Sequence, residues 1–222
     1  MKPKRIILIR HGESEGNLDK TMYANKPDYA LLLTEKGKQQ AAMAGKTLKD
    51  LVKEEMLHFY VSPLFRTRET FKQIIKAFPE GNYIYREEPR LREQEWGHLR
   101  SQEECDEIEK QRDGYGTFYF RIPDGESAAD VYDRVSDFFN TLYRDFEKEE
   151  FAPNAVMVTH GMSIRLFLMR WFHFTVEDFE LLANPANCAM VIMELRENGK
   201  YGLVAPLRKH TVAHAWKLED EG

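Results

Sequence analysis

The chain has 222 residues, 42% of them hydrophobic and 31% charged, and a formal net charge of −5. That composition fits an ordinary globular domain and excludes collagen-like, disordered and disulfide-scaffold classes. A net-negative chain also argues against a general nucleic-acid binder, which needs a basic surface, while leaving room for a local basic pocket.

The basic start Met1-Lys2-Pro3-Lys4-Arg5 precedes an apolar run of only Ile6 to Ile9. This run is too short for a signal h-region and reads with Arg5 as a buried strand, ending at Arg10-His11-Gly12. After a polar stretch, Thr34 N-caps a helix carrying Ala41, Ala42, Leu48, Leu51 and Val52. Phe59-Tyr60-Val61 predicts a second strand, closed by Ser62-Pro63, with Pro63 in the first turn of a helix reaching about Phe78. Tyr83-Ile84-Tyr85 predicts a third strand. From about Gln94 to Asp124 the rhythm breaks into a charged, aromatic, glycine-containing segment with a helix at Gln102 to Arg112, read as an insertion over the sheet edge. Ser127 then caps a helix to about Glu149, with Ala128, Val131, Val135, Phe138, Phe139 and Leu142 on one face. Ala155 to Val158 is a fourth strand, followed by Thr159-His160-Gly161 and a helix from Ile164 to Phe172. Ala189 to Leu195 and Tyr201 to Val204 are two further strands, joined by a turn at Asn198-Gly199.

Strands alternating with helices predict one α/β domain over residues 1–222. The expected architecture is a three-layer α/β/α sandwich around a mainly parallel sheet, with a small cap insertion at about 94–124. No stretch approaches the ~18 apolar residues of a membrane span. Cys105 and Cys188 are too few for a disulfide framework and favour the reducing cytosol. Cys105 lies among Glu103, Glu104, Asp106 and Glu107, a setting that raises a thiol pKa and argues against a nucleophile. Cys188, in an apolar run, reads as core.

The first and fourth strands both end in His-Gly, at His11-Gly12 and His160-Gly161. Ligands of such folds sit outside the C-terminal strand ends, at a switch in strand order. Gly12 permits a sharp turn and close ligand approach. Arg10 offers a planar fork for phosphate or carboxylate, and neutral His11 can serve as nucleophile or base. Arg66, in Ser62-Pro63-Leu64-Phe65-Arg66, falls near a helix N-terminus and would act with the helix dipole on an anion. Glu93 and Glu95 are general-acid candidates, but alternate residues of an extended segment point to opposite sides, so one alone is expected to face the site.

Arg10-His11-Gly12, the Ser-Pro-x-x-Arg around Arg66, Leu-x-Glu at Glu93 and a late His160-Gly161 occur in that order. With Leu33-Thr34-x-x-Gly37-x-x-Gln40-Ala41 and Gly125-Glu126-Ser127 followed by Arg134, the chain resembles the histidine phosphatase superfamily, which includes phosphoglycerate mutases. The stretches 118–134 and 167–172 are similar to the plant phosphoglycerate-mutase-like proteins and the fungal broad-range acid phosphatase. The resemblance implies a metal-independent phosphatase acting on small phosphomonoesters, with no cofactor. His11 would attack phosphorus, Arg10, Arg66 and His160 would hold the equatorial oxygens, and Asn17 would add a neutral donor. Glu93 would protonate the leaving oxygen and then activate water. Nearby arginines would keep His11 neutral in mild acid, so an acidic optimum is expected. Gly12, Ser14 and Gly161 fall within the implied binding loops.

The alternatives are a phosphoglycerate mutase, whose longer insertion carries paired basic residues absent here, and a non-catalytic phospho-ligand module, which the presence of His11, Glu93 and His160 disfavours. In the insertion, Arg112 and Arg121 either bind a second anionic group of the substrate or are solvated, and the aromatics Tyr115, Phe118, Tyr119 and Phe120 either shape the pocket or pack the cap. His210 and His214 have a metal-like spacing but no third ligand nearby, so no metal site is expected. His58, His98 and His173 read as surface or core, Glu13 as structural, and Trp96, Trp171 and Trp216 as packing. No nucleic-acid or membrane partner is expected, and a homodimer is compatible with the commonest symmetry of soluble oligomers.

Overall fold

The computed structural model describes residues 2–98 and 101–210. Within them the apolar runs become six strands: β1 (Arg5–Arg10), β2 (Leu57–Val61), β3 (Tyr83–Glu87), β4 (Asn154–Thr159), β5 (Met190–Leu195) and β6 (Tyr201–Leu203). They form one sheet in the order β3-β2-β4-β1-β5-β6. The first four strands run parallel, while β5 and β6 add an antiparallel hairpin to the far side of β1.

Ile6 to Ile9 are fully buried, as expected of a strand covered on both faces. The pleat divides them between two cores. Ile6 and Leu8 join Tyr60, Ala155 and Met157 under two helices, α6 (Ala128–Phe146) and α7 (Gly161–Phe172). Ile7 and Ile9 join Phe59, Val61, Val156 and Val158 under α3 (Glu35–Val52) and α4 (Phe65–Ile74). The result is the three-layer sandwich with a mainly parallel sheet that the alternation of strands and helices predicts.

The helix starts follow local chemistry. Thr34 Oγ1 accepts from Gly37 N at 3.0 Å. Ser127 and Asp130 satisfy each other's backbone N–H groups in a capping box. Val131, Val135, Phe138, Phe139 and Leu142 then form the buried stripe of α6.

Several expectations need correction. Pro63 lies outside its helix. Leu64 is the N-cap in extended conformation, and α4 ends at Ile74 in a 3-10 turn to Ala77. Helix α6 stops at Phe146, short of Glu149. The polar stretch after β1 holds two one-turn helices, α1 (Glu15–Leu18) and α2 (Met22–Asn25), too short to show periodicity. Helix α8 (Val176–Leu181) was not expected, because it buries only Phe179 and shows no stripe, although Thr175 and Asp178 form a capping box.

The segment after Gln94 forms α5 (Gln102–Tyr115). Rather than lying over the sheet edge, α5 buries Cys105 and Ile108 with Ile122 against Tyr23, Trp96 and Phe120, and Lys20 pairs with Glu109 at 2.8 Å. It therefore packs on the loop leaving β1, a central strand. Among the described residues no helix is long and apolar enough to cross a membrane.

Candidate active site

Strand β4 inserts between β1 and β2, so strand order switches beside β1. The β1–β4 register sets Arg10 opposite Thr159. His11 and His160 are the next residue on each strand, and His11 N donates to Thr159 O at 2.9 Å. The two imidazoles emerge side by side, with ring centroids 5.1 Å apart.

His11 is buried, with Nδ1 2.7 Å from the Gly12 carbonyl. A carbonyl oxygen can only accept, so Nδ1 carries the proton and Nε2 keeps its lone pair. Burial pushes the His11 pKa well below the usual imidazole value, and Arg66 and Arg10 push it further, against the opposing bond to Gly12. His160 is held well down in the same way, first by burial and then by Arg66. Its Nε2 is 2.8 Å from Ser62 Oγ, and its Nδ1, buried without a hydrogen bond, lies 3.7 Å from Glu93 Oε2.

Glu93 follows the 3-10 turn Pro89–Leu91. Burial raises its pKa above the usual carboxylate value, although Arg66 and Arg10 pull it down. Glu95 is exposed, as the alternation along an extended segment requires. The reactive atoms of His11, Glu93 and His160 lie within 4.8 Å of one another. These are metal-ligand types, but the two arginines whose charge depresses both histidines also oppose a cation between them.

Arg66 is the second residue of α4 and is 2% exposed. It pairs with Asp28 through Nη1–Oδ1 at 2.9 Å and Nη2–Oδ2 at 3.2 Å. Burial opposes its charge, yet Asp28, with Tyr23 and Glu93, outweighs this and raises the Arg66 pKa. Arg10 donates from Nη1 to Pro185 O at 2.7 Å, and its Nε is buried without a partner. Two arginines, two neutral imidazoles and one carboxyl group thus converge at the parallel strand ends. They are suited to an anion whose charge shifts during reaction.

Gly12 does not adopt the left-handed backbone expected of a sharp turn. A Cβ there would run into Gly37 O, and one on Gly161 would meet Asn184, so both glycines are needed for close packing. Ser14 is fully buried and its N–H donates to Asn17 Oδ1 at 3.2 Å. Asn17 also accepts from Asn187 Nδ2 at 3.0 Å, and Asn187 reaches His11 O at 3.1 Å. Arg112 lies over the Trp96 ring at 5.0 Å, with Nε buried without a hydrogen bond and 4.0 Å from Asp113 Oδ1. It lines a cleft of about 300 Å³ with Asn17, Tyr23, Asp28, Glu93 and Asn184. Arg121 does not share it: 61% exposed, it pairs with Asp130 at 2.7 Å and reaches Gly125 O.

Sequence reasoning missed the roles of Ser62, Asp28, Asn184 and Asn187, which reach the site from three loops, the two asparagines from the one before β5. It noted Arg134 only as part of a motif. Arg134 holds Glu126 at 2.9 Å and donates to the carbonyls of Arg90, Arg92 and Glu93, clamping the backbone that carries Glu93. Cys188, expected in the core, packs half-buried against it from the loop before β5, at φ 57° and with its N–H on Arg10 O. Burial pushes its thiol pKa up to about 12. Cys105 is also raised, by burial and then by Glu109.

Glu13 pairs with Lys36 and accepts from Thr34 Oγ1, which fits its structural reading. His58 stacks on Tyr60 and Phe151 and is pushed down to about 4 by burial. His98 is exposed, and His173 closes α7 in a left-handed conformation. Trp171 packs on Phe139 and Phe167. His214 and Trp216 lie outside the described residues.

A family model for the histidine phosphatase superfamily, branch 1, matches residues 6–204. The chain is 43% identical to the Arabidopsis thaliana phosphoglycerate mutase-like protein AT74, covering 99% of this chain and 73% of that one. It is 32% identical to the broad-range acid phosphatase DET1 of Saccharomyces cerevisiae, covering 95% and 91%. Among solved structures, one titled mycobacterial hydrolase 1 aligns with a TM-score of 0.74 at 20% identity, covering 93% and 99%. A mycobacterial glucosyl-3-phosphoglycerate phosphatase complex aligns at 0.72 and 21%, covering 93% and 100%. The two structures share the fold of this chain.

Proposed function

The chain belongs to the histidine phosphatase superfamily, branch 1, and we propose that it is a metal-independent phosphatase hydrolysing small phosphomonoesters through a phosphohistidine. The observation that carries this reading is the 2.7 Å contact of His11 Nδ1 with the Gly12 carbonyl, which selects the tautomer. With Nδ1–H on the Gly12 carbonyl, Nε2 is an unprotonated nucleophile in a buried, arginine-flanked site. The relative named as a broad-range acid phosphatase supports hydrolysis over phosphoryl return.

In the first step His11 Nε2 bonds to phosphorus as the ester P–O bond breaks. Positive charge develops on the imidazole, and the Gly12 carbonyl that accepts from Nδ1–H stabilises it. Arg10, Arg66 and His160 hold the equatorial oxygens, Asn17 borders the same loop, and Glu93 gives its proton to the leaving oxygen. In the second step Glu93, now a carboxylate, takes a proton from water as the water oxygen attacks phosphorus. The P–N bond breaks, and inorganic phosphate and neutral His11 are released. A depressed His11 stays neutral in mild acid and a raised Glu93 stays protonated further up the scale, so the optimum lies on the acid side.

Arg112, whose Nε makes no hydrogen bond and only a long 4.0 Å pair with Asp113, lies in the cleft beside Glu93 and binds a second anionic group of the substrate. Two free cysteines fit a cytosolic protein. No cofactor, nucleic acid or membrane enters the reading, and a homodimer fits the commonest oligomeric symmetry.

Arg66→Ala is expected to lower kcat by about 10²-fold or more, as for loss of one donor to developing charge. Steady-state assays on a phosphomonoester check this, and a near-normal rate would remove Arg66 from the site. The activity itself is tested by a ³¹P NMR time course with 3-phosphoglycerate in mildly acid buffer containing chelator and a trace of 2,3-bisphosphoglycerate. Accumulating inorganic phosphate is the expected result. Faster appearance of 2-phosphoglycerate would make the chain a mutase, and activity restored only by added metal would overturn the metal-independent mechanism.

A further inference from the structure

We infer that Asp28 is a positioning residue of this site, holding Arg66 by one edge of its guanidinium so that the other edge meets the phosphoryl group; the inference rests on the phosphatase reading above. A guanidinium carries five N–H bonds in a fixed planar fork. Arg66 gives three of them to Asp28: Nη1 to Oδ1 at 2.9 Å, Nη1 to the backbone O at 2.8 Å and Nη2 to Oδ2 at 3.2 Å. Among the described residues no other acceptor bonds this guanidinium. The two N–H groups left, on Nε and Nη2, form the side-on fork that matches two oxygens of a phosphate.

Asp28 is itself fixed. It opens the 3-10 turn Asp28–Ala30 after Pro27. The loop around it is tied to Glu15 by Lys26 at 2.6 Å and by Leu32 N at 3.0 Å, and to Glu69 by Leu33 N at 2.7 Å. A carboxylate beside a phosphate site would be a liability if it took the phosphate's place on the arginine. Placed on the outer edge of Arg66, it orients the cation without occupying the fork.

Asp28 also lines the cleft with Glu93. The charged and titratable groups facing Glu93 are Arg10, His11, Arg66, His160, Arg165, Tyr23 and Asp28, with Arg112 on the wall of the same cleft. Burial is the main reason the Glu93 pKa is raised, and the Asp28 charge adds to it while Arg66, the Gln94 N–H and Arg10 oppose it. Removing that charge lowers the Glu93 pKa. Because the acid form is the active one, the alkaline limb of the profile then moves to lower pH.

The test compares wild type, Asp28→Asn and Asp28→Glu, measuring kcat, KM and the pH profile of kcat/KM on glycerol phosphate, whose alkoxide leaving group requires the acid. Asp28→Asn is expected to lose about 10-fold or more in kcat, as for misplaced catalytic groups, with the alkaline limb shifted to lower pH. Asp28→Glu keeps the charge and misplaces it, so the rate falls while the limb stays. If Asp28→Asn does not fold, the unmoved limb of Asp28→Glu carries the test, and a displaced limb there overturns the inference. An Asp28→Asn enzyme with the wild-type limb would overturn it too, as would one faster than wild type, which would make Asp28 a competitor for Arg66. A wild-type enzyme without turnover would overturn the phosphatase reading itself, and the inference with it.

Discussion

His11→Ala should abolish turnover, with kcat on a chromogenic phosphomonoester falling by about 10⁴-fold or more, the scale seen when an enzyme loses its nucleophile. The expectation follows from the division of labour within one ring. Nδ1 is committed to the Gly12 carbonyl, so Nε2 is the lone pair available. Burial and the flanking Arg66 and Arg10 keep that lone pair unprotonated in mild acid. His160 is placed differently, with its Nε2 engaged by Ser62 Oγ. Its Nδ1 faces Glu93 across 3.7 Å. A His11→Ala enzyme retaining the wild-type rate would show that the nucleophile lies elsewhere.

Glu93→Gln should separate the two steps. On an alkyl phosphomonoester the loss is expected to be about 10²- to 10⁴-fold, the range of general acid catalysis, and the alkaline limb of the profile should disappear. On a p-nitrophenyl ester, whose leaving group needs no proton, the first step should run near the wild-type rate. Glutamine cannot deprotonate water, so a burst of nitrophenol should be followed by slow turnover. The sign follows from the environment: burial raises the Glu93 pKa, so its acid form persists above the usual carboxylate range and is lost as pH rises through the raised value. Stopped-flow traces on the two esters provide the measurement. Equal losses in the first step with both leaving groups, and no burst, would remove Glu93 from proton transfer.

The parts of this site legible in the sequence are those carried by strand ends. The apolar runs 6–9 and 155–158 announce buried strands, and a parallel pairing brings the His-Gly that follows each to one place. Arg66 was legible because a proline punctuates the turn before its helix. Glu93 was separable from Glu95 by the period of an extended chain.

What escaped was contact between loops, which leaves no periodicity. Asp28 lies in a polar stretch, and nothing local to it signals Arg66, 38 residues away. Ser62 reads as a turn residue until β2 and β4 pair and bring it to His160. The Gly12 carbonyl, which sets the His11 tautomer, is a backbone group and invisible to any residue pattern. Gly12 itself invites a conformational explanation, whereas the structure gives it a packing one against Gly37. Cys188 is legible in part: it packs half-buried against the core, as its apolar neighbours suggest, but from the loop that backs the site, with a left-handed φ and its N–H on Arg10 O. Arg121 and Arg112 looked equivalent in sequence. Asp130 draws the first to the N-terminus of α6, while the second stays on the wall of the cleft over Trp96.

The most direct test of the phosphohistidine mechanism is to trap it. Enzyme mixed with a phosphomonoester is quenched in base within one turnover, digested and mapped by mass spectrometry for a phosphoryl group on nitrogen. The mechanism predicts a phosphoryl group on Nε2 of His11 that accumulates in Glu93→Gln and is absent from His11→Ala. A phosphoryl group on any other residue, or product formation with no phosphoenzyme even in Glu93→Gln, would contradict it.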